Sequence, residues 1–309
     1  MQKVYPDYYK EFRCIAGECK NSCCIGWEID IDEESLVRFE KTEGAFGERL
    51  RKNISYEETP HFVLGENERC PFLNEDNLCD MILELGEDSI CGICREHPRF
   101  YNELPGRIEA GIGMCCEEAA RIILGKTDKT SLEIRGEAEC VDEIISLRDE
   151  AIAILQKREE GIDERCEKLL SLCGISLPET NMEEWSDFLL SLERLDEKWT
   201  RALLLLRENA ECDAEKVQRD EREYEQLLVY LIYRHFANAP DLDEAALRAA
   251  FAVVLFRIVR ALGAAIFEKT GVFTFEDNVI LCRLMSAELE YSDDNRNEIL
   301  DKLAFDIIG

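Results

Sequence analysis

The sequence predicts a mainly α-helical protein in two parts. Residues 1–135 read as a loop-rich, cysteine-clustered, metal-binding half, packed on a C-terminal helical bundle, residues 136–309. Two observations carry the first part: ten of the 15 cysteines lie within the first 116 residues, and five of the seven prolines and eleven of the 17 glycines lie within residues 1–135. Such texture suits short elements organised around metal rather than a large core. A third observation carries the bundle: from about residue 137, apolar residues recur at three- and four-residue spacing with charges between them.

In the first half one helix is expected after Ile31, where Asp32-Glu-Glu-Ser-Leu-Val-Arg-Phe supplies a cap, acidic first-turn residues and apolar spacing. Another is expected from about Cys115 to Leu124, with Glu117 and Glu118 early, an apolar face of Ala119, Ile122 and Ile123, and Gly125 closing it. In the second half the pattern predicts helices near 139–158, 162–173, 182–209, 215–237, 243–268, 275–290 and 293–306. Breakers stand between them at Gly161, Gly174, Pro178, Pro240 and Gly271. Two-residue alternation is absent there, and no repeat period is visible.

Charge narrows the partners. With 37 basic and 67 acidic residues the net charge is −30, and it is spread: residues 1–135 hold 17 basic and 28 acidic residues. An anionic body repels nucleic-acid phosphates and anionic lipid, so neither nucleic acid nor membrane is an expected partner, while basic peptides and cations are attracted. The N-terminal residues lack the apolar stretch of a signal peptide. The longest unbroken apolar run, Ala249 to Phe256, is far short of the roughly 18 residues of a membrane helix. A cytoplasmic location is the expectation.

Crowded thiols in a reducing compartment are ligands far more often than disulfides. Cys14, Cys19, Cys23 and Cys24 fall within eleven residues, more than the packing of small apolar side chains produces. Cys19 and Cys23, four apart, share a face if the segment turns helically, and Gly17 allows the bend that brings Cys14 round. Between Cys70 and Cys79 the run Asn74-Glu-Asp-Asn77 is turn chemistry that folds Leu73 back against Leu78 and draws the two thiols together. Cys91-Gly-Ile-Cys94 has the two-residue gap of zinc and cluster knuckles. Cys115 and Cys116 open a helix whose dipole favours a thiolate, and one of the two must point away from any shared centre. His61 and His97 are not needed as ligands. Cys140, Cys166, Cys173, Cys212 and Cys282 are scattered on predicted helices and read as core or surface residues.

Three enzyme classes are excluded by pattern. Cys19-x-x-x-Cys23-Cys24 is not the spacing of a radical S-adenosylmethionine enzyme. Cys91 and Cys94 lack the βαβ setting of a thioredoxin, and no glycine-rich turn after a predicted strand offers a Rossmann cradle.

The stretches Tyr9-Lys-Glu-Phe-Arg-Cys14, Cys19-x-x-x-Cys23-Cys24-x-Gly26-Trp27, Cys70-Pro-Phe-Leu, Leu78-Cys79, Leu85-Gly-Glu, Cys94-Arg-Glu-His-Pro-Arg-Phe and Cys116-Glu-Glu-Ala-Ala-Arg together resemble the flagellin lysine-N-methylase family. Leu228-Val-Tyr-Leu-Ile-Tyr-Arg-His-Phe extends the resemblance into the helical half. The Cys-Cys, Cys-Pro-Phe-Leu and Cys-Arg-x-x-Pro elements are also similar to small domains that chelate zinc or iron. The resemblance implies methyl transfer from S-adenosylmethionine to lysines of flagellin, with a [4Fe–4S] cluster. It places Cys14, Cys19, Cys23, Cys24, Cys70, Cys79, Cys94 and Cys116 on the family pattern as metal ligands, with Cys91 and Cys115 as additions. Glu117 departs from the usual proline after the last cysteine. Eight thiols exceed one cluster's four, so a second metal site or spare thiols stay open, as does zinc as the metal. The alternative function is a non-catalytic zinc- or iron-binding protein that docks a partner through its helical half. No catalytic base and no S-adenosylmethionine site is assigned: Tyr8, Tyr9, Tyr101, Glu28, Glu96 and Glu118 flank the cysteine segments but read as packing or solvated surface.

Overall fold

The computed structural model describes residues 1–137, 142–217 and 219–308. In chain order the elements begin with strand β1 (Gln2–Pro6), helices α1 (Glu33–Lys41) and α2 (Gly44–Lys52), and the short strands β2 (Ile54–Ser55) and β3 (His61–Phe62). Helices α3 (Asp80–Leu85) and α4 (Gly92–Glu96), strands β4 (Arg99–Leu104) and β5 (Arg107–Ile112), helix α5 (Glu117–Leu124) and strand β6 (Leu132–Arg135) follow. The remainder is helical: α6 (Glu143–Leu155), α7 (Ile162–Leu172), α8 (Met182–Ser191), α9 (Glu197–Glu208), α10 (Glu221–His235), α11 (Leu242–Thr270), α12 (Phe275–Met285) and α13 (Asp293–Ile308). The expected helix start at 139 and Cys140 lie outside the described residues.

The mainly α class is as predicted, and two compact units form. One comprises Met1–Phe12, Tyr101–Cys115 and Ala119–Gly309; the other comprises Arg13–Phe100 and Cys116–Glu118. The composition change near residue 135 is therefore not where the units divide. The reason is a sheet of order β4-β5-β1-β6, in which β1 pairs parallel to β5 and antiparallel to β6. It draws the first residues of the chain, with residues 101–115 and 119–135, into the helical unit. Tyr233 of α10 fastens two of its strands, donating to the Val4 carbonyl at 3.2 Å and the Ala110 carbonyl at 3.0 Å.

The helical unit is built on α10 and α11, both buried along most of their length. Asp241 caps α11 by accepting from the Glu244 N–H, and Gly271 ends it in the left-handed conformation that favours glycine. By length and composition α11 is apolar enough to cross a membrane, but 72% of its most apolar window is buried inside the protein, as in a core helix. The single helix expected over 182–209 is two. The chain breaks between α8 and α9 because the Glu288 carboxylate accepts from the Leu195 and Asp196 N–H groups, at 2.9 and 2.7 Å. Asp196 then caps α9 by accepting from the Lys198 N–H. α12 runs into a π-helical turn, Ser286–Glu290.

The cysteine unit has a real apolar core, so it is not held by metal chemistry alone. Ile29, Ile31, Phe39, Leu50, Ile54, Phe62, Phe72 and Met81 are buried together with Cys70 and Cys91. Phe62 packs edge-on to Phe72 at 4.9 Å, and Arg49 lies over Phe72 while pairing with Asp80 at 2.7 Å. Asp32 caps α1 by accepting from the Ser35 N–H, and its other oxygen accepts from the Gly92 N–H at 2.7 Å. One carboxylate thus fixes both a helix start and the Cys91–Cys94 loop. α2 is not among the helices the sequence predicts. Gly47 is there for close packing: a Cβ would collide with the Thr42 carbonyl.

In the helical unit Glu109 and Arg148 are fully buried and joined by two hydrogen bonds, at 2.8 and 3.0 Å. Removing one partner strands a buried charge. Glu109→Ala is expected to lower unfolding free energy by about 3–5 kcal/mol in urea titrations. The double variant Glu109→Leu with Arg148→Met is expected to recover only part of that loss, because Arg107, also paired with Glu109, still loses its partner.

Candidate metal centre

The path of the chain gathers the thiols of the cysteine unit. After Cys14 the chain turns through Ala16, whose φ of 48° is the left-handed conformation. Gly17 serves close approach rather than backbone freedom, since a Cβ there would stand 2.9 Å from the Asp76 carbonyl oxygen. Ile25 bridges Arg69, and the Cys70 N–H donates to the Cys24 carbonyl at 2.8 Å, which lays the Cys23-Cys24 pair beside Cys70. The turn expected at 74–77 forms: the Asn74 carboxamide accepts from the Asp76 and Leu78 N–H groups, each at 3.0 Å. Its register differs by one residue from expectation, Leu73 bridging Cys79 rather than facing Leu78. Cys91 and Cys94 bring their sulfurs to 3.2 Å across the start of α4.

Five thiols meet the apolar core of this unit. Cys70 and Cys91 belong to it, and Cys24, Cys79 and Cys94 pack against it. Backbone donors are aimed at their sulfurs: Phe72 N–H at Cys70, Ile82 and Met81 N–H at Cys79, and Cys94 N–H at Cys91. Such bonds favour thiolates, whereas burial disfavours them. At Cys70 burial wins, pushing the thiol up to about 12, with Cys24, Cys79 and Cys91 adding like-charge repulsion. Cys79 and Cys94 are also raised: burial is the main cause at Cys79, and at Cys94 the proton shared with Cys91 comes first, then burial. Cys24 is held down at about 7, chiefly because Cys23 hydrogen-bonds to it, with the Ser22 hydroxyl and the Arg69 charge assisting against burial.

Cys14 and Cys116 lie near Cys23, and Cys19 stands beside Glu117. Cys23 is raised by its bond to Cys24 and by burial, and it faces Cys116 and Cys14. Glu117, 1% exposed, holds the Cys19 turn. One of its oxygens accepts from the Lys20 N–H at 3.1 Å, the Asn21 N–H at 3.2 Å and the Asn21 carboxamide at 2.9 Å, with the Cys19 sulfur 3.9 Å away. Glu117 is therefore a brace from the residue after Cys116 to the first cysteine segment. Cys14 is exposed, and Cys19, Cys23 and Cys116 are half-buried.

Among the described residues no three histidine, cysteine, aspartate or glutamate side chains stand close enough to ligate one ion as they are placed. The donor set nonetheless suits a soft, thiophilic metal: thiols only, several with N–H donors on sulfur, and few protein cations beside them. Of the two added cysteines, Cys91 joins the core group. Cys115 belongs to the helical unit, where it interacts with the Tyr291 hydroxyl and its carbonyl accepts from Arg283 at 3.3 Å. His61 is engaged at both ring nitrogens, with the Thr59 carbonyl at 2.8 Å and Glu28 at 3.4 Å, and His97 packs against Trp27. Cys166 and Cys282 are buried in the helical unit; Cys173 and Cys212 are half-buried there. Tyr8 is buried and raised far above its ordinary value by that burial, and Tyr101 is exposed.

One polar cluster was not anticipated. The segment Leu228–Phe236 on and just beyond α10 places Tyr230, Arg234 and His235 around Glu290, which the π-helical turn directs inward. Glu290 accepts from Tyr230 at 2.7 Å, Arg234 at 2.6 Å, His235 at 3.1 Å and Ser286 at 2.6 Å. Gly113 is obligatory beside it, because a Cβ would collide with the Tyr291 hydroxyl and crowd Arg234. Burial alone would raise the Glu290 carboxyl, but the Arg234 charge and the His235 hydrogen bond more than offset it and hold it at about 2. Only the mixture of tyrosine, arginine and histidine in the otherwise apolar run Leu227–Phe236 hinted at this.

Residues 175–307 match the family described as the FliB lysine N-methylase C-terminal domain. Over 137 residues the chain is 26% identical to the flagellar biosynthetic protein FliU of Salmonella muenchen, covering 41% of this chain and 79% of that protein. It is 26% identical over 137 residues to the lysine-N-methylases of Salmonella typhimurium and Salmonella choleraesuis, covering 33% of each. The match thus spans only a third of the length of those two enzymes. No solved structure matches this chain.

A carboxyl held below its ordinary 4.5 stabilises the fold at pH values above 4.5, and that contribution is lost as pH falls towards 2. Glu290→Gln is expected to destabilise the protein by about 3 kcal/mol at pH 7. In urea titrations the gap to the parent should narrow below pH 4.5 and close near pH 2. With that network and α8–α13 inside the matched region, the chain resembles the lysine N-methylase family through its helical half.

Proposed function

We propose that this protein is a protein-lysine N-methyltransferase acting on flagellin, with S-adenosylmethionine as methyl donor and a [4Fe–4S] cluster held by the cysteine unit. The observation that carries the reading is the likeness of residues 175–307 to the FliB lysine N-methylase C-terminal domain. The name of the FliU relative supports a substrate tied to the flagellum. The ligands for the cluster would come from Cys14, Cys19, Cys23, Cys24, Cys70, Cys79, Cys94 and Cys116, with Cys91 as a further donor.

The reaction is a displacement in which the neutral lysine Nζ attacks the sulfonium methyl carbon. A C–N bond forms, the C–S bond breaks, the sulfur leaves as a neutral thioether and the nitrogen releases a proton. A lysine ammonium has an ordinary pKa near 10.4, so the amine must be desolvated or deprotonated before it attacks. Bound to thiolates, an iron–sulfur cluster supplies a Lewis-acidic or electron-transfer centre. The protein's own contributions are the bracing of the thiol loops by Asp32, Asn74 and Glu117, and a net charge of −30 that favours approach of a cationic side chain.

Mass spectrometry of flagellin from cells with and without this gene tests the reading. Lysine methylation is expected with the gene and absent without it, and the rate with purified protein should rise with pH as the amine becomes neutral. Identical methylation in both cell types would contradict the assignment and favour a metal-binding protein that docks a partner.

A further inference from the structure

Lys302 of α13 shows how this chain holds a largely buried ammonium. Its Nζ lies 5.1 Å from the ring centroid of Trp185 and 5.8 Å from that of Phe188, two rings of α8 that meet edge to face. Glu184 accepts from it at 2.7 Å and Asp306 pairs with it at 3.1 Å. Aromatic faces and carboxylates are the partners that favour a desolvated cation, and together they suit a lysine ammonium and its methylated forms alike.

Beside this ammonium is a cavity of about 140 Å³, room for a group of roughly benzene size. Trp185, Glu184 and Asp306 line it as well, Val254 and Leu303 give it an apolar wall, and Glu179 adds a third carboxylate. Three carboxylates thus face the one ammonium of Lys302. The nearby Arg257 is taken up by Glu167 at 3.0 Å while it donates to the Thr180 hydroxyl at 3.0 Å. No cation pairs with Glu179 among the described residues. Glu179 and Glu184 are exposed, so the acidic rim meets solvent. The positive end of α8 is offset by its Asn181 cap and by Glu183 and Glu184 in the first turn.

We propose that this cavity is a recognition pocket for a lysine side chain, unmodified or methylated, on the protein substrate. The ammonium seats by Trp185 among the carboxylates left uncompensated by Lys302, and the aliphatic stem lies against Val254 and Leu303. The inference rests on the proposed function for the identity of the partner, but binding here needs neither metal nor methyl donor.

The test is a titration of the purified full-length protein, without S-adenosylmethionine, followed by nuclear magnetic resonance. The probes are N-acetyl-lysine amide, its Nε-trimethyl form and N-acetyl-norleucine amide as the uncharged control. The chain has three tryptophans, and Trp185→Phe identifies the indole N–H resonance that belongs to the pocket. Both lysine probes are expected to shift that resonance saturably, and norleucine to leave it in place. Glu179→Gln, a change on the exposed rim, is expected to weaken binding about threefold, and added salt to weaken it further. No saturable shift, norleucine binding as tightly as lysine, or a Glu179→Gln affinity equal to the parent's would overturn the pocket and leave the methyl-transfer reading standing. Lysine probes that bind while flagellin is methylated equally with and without the gene would keep the pocket and remove flagellin as its partner.

Discussion

Five sulfurs packed against one apolar core cannot all ionise without a positive charge among them, and the architecture of the cysteine unit is arranged around that conflict. Backbone N–H groups aimed at Cys70, Cys79 and Cys91 favour thiolates, while burial and mutual repulsion oppose them. Arg69, near Cys24, is the protein cation that acts on this group. A bound metal would resolve the conflict by supplying the missing charge. Asp32 and Asn74 work at one remove, fixing the loops that carry the sulfurs.

The helical unit meets its buried charges differently, by pairing them within the protein. Glu109 with Arg148, Glu225 with Arg158 and Arg165, and Glu290 with Arg234 are each closed at 2.6–3.0 Å. These pairs give geometry more than net stability, since removing either partner costs more than the pair contributes. Glu290 shows what that geometry does: it joins the π-helical turn to α10 and, through Tyr230, to the Met114 N–H at 3.0 Å. The same turn carries Glu288, which sets the break between α8 and α9. These bonds cross-link the helices of the bundle to one another.

The helices of the second half were legible because their cause is local: apolar spacing, the Asp241 cap and the Gly271 stop all lie within a few residues of the ends they set. What was not legible has distant causes. The break at 192–196 depends on Glu288, some ninety residues on. The sheet of β1, β4, β5 and β6 depends on pairing Lys3 with both Ile108 and Arg135, and β5, buried on both faces, shows no alternation. α2 was not predicted, and the reason for its Gly47 is the Thr42 carbonyl packed against it, which only the fold shows. At the thiols, spacing identified the loops, but not that Cys91 joins the core group, that Cys115 belongs elsewhere, or that Glu117 is a brace.

The central claim is that a thiolate-held metal in the cysteine unit and the helical frame together transfer methyl groups to lysine. The most direct measurement is label transfer from methyl-labelled S-adenosylmethionine to purified flagellin, by the metal-loaded protein and by the same protein after chelation, with helicity monitored by circular dichroism. The account predicts transfer by the loaded protein and none after metal removal, with the helical signal of the bundle retained. Equal transfer by the metal-free protein, or no transfer by the fully loaded one, would contradict it.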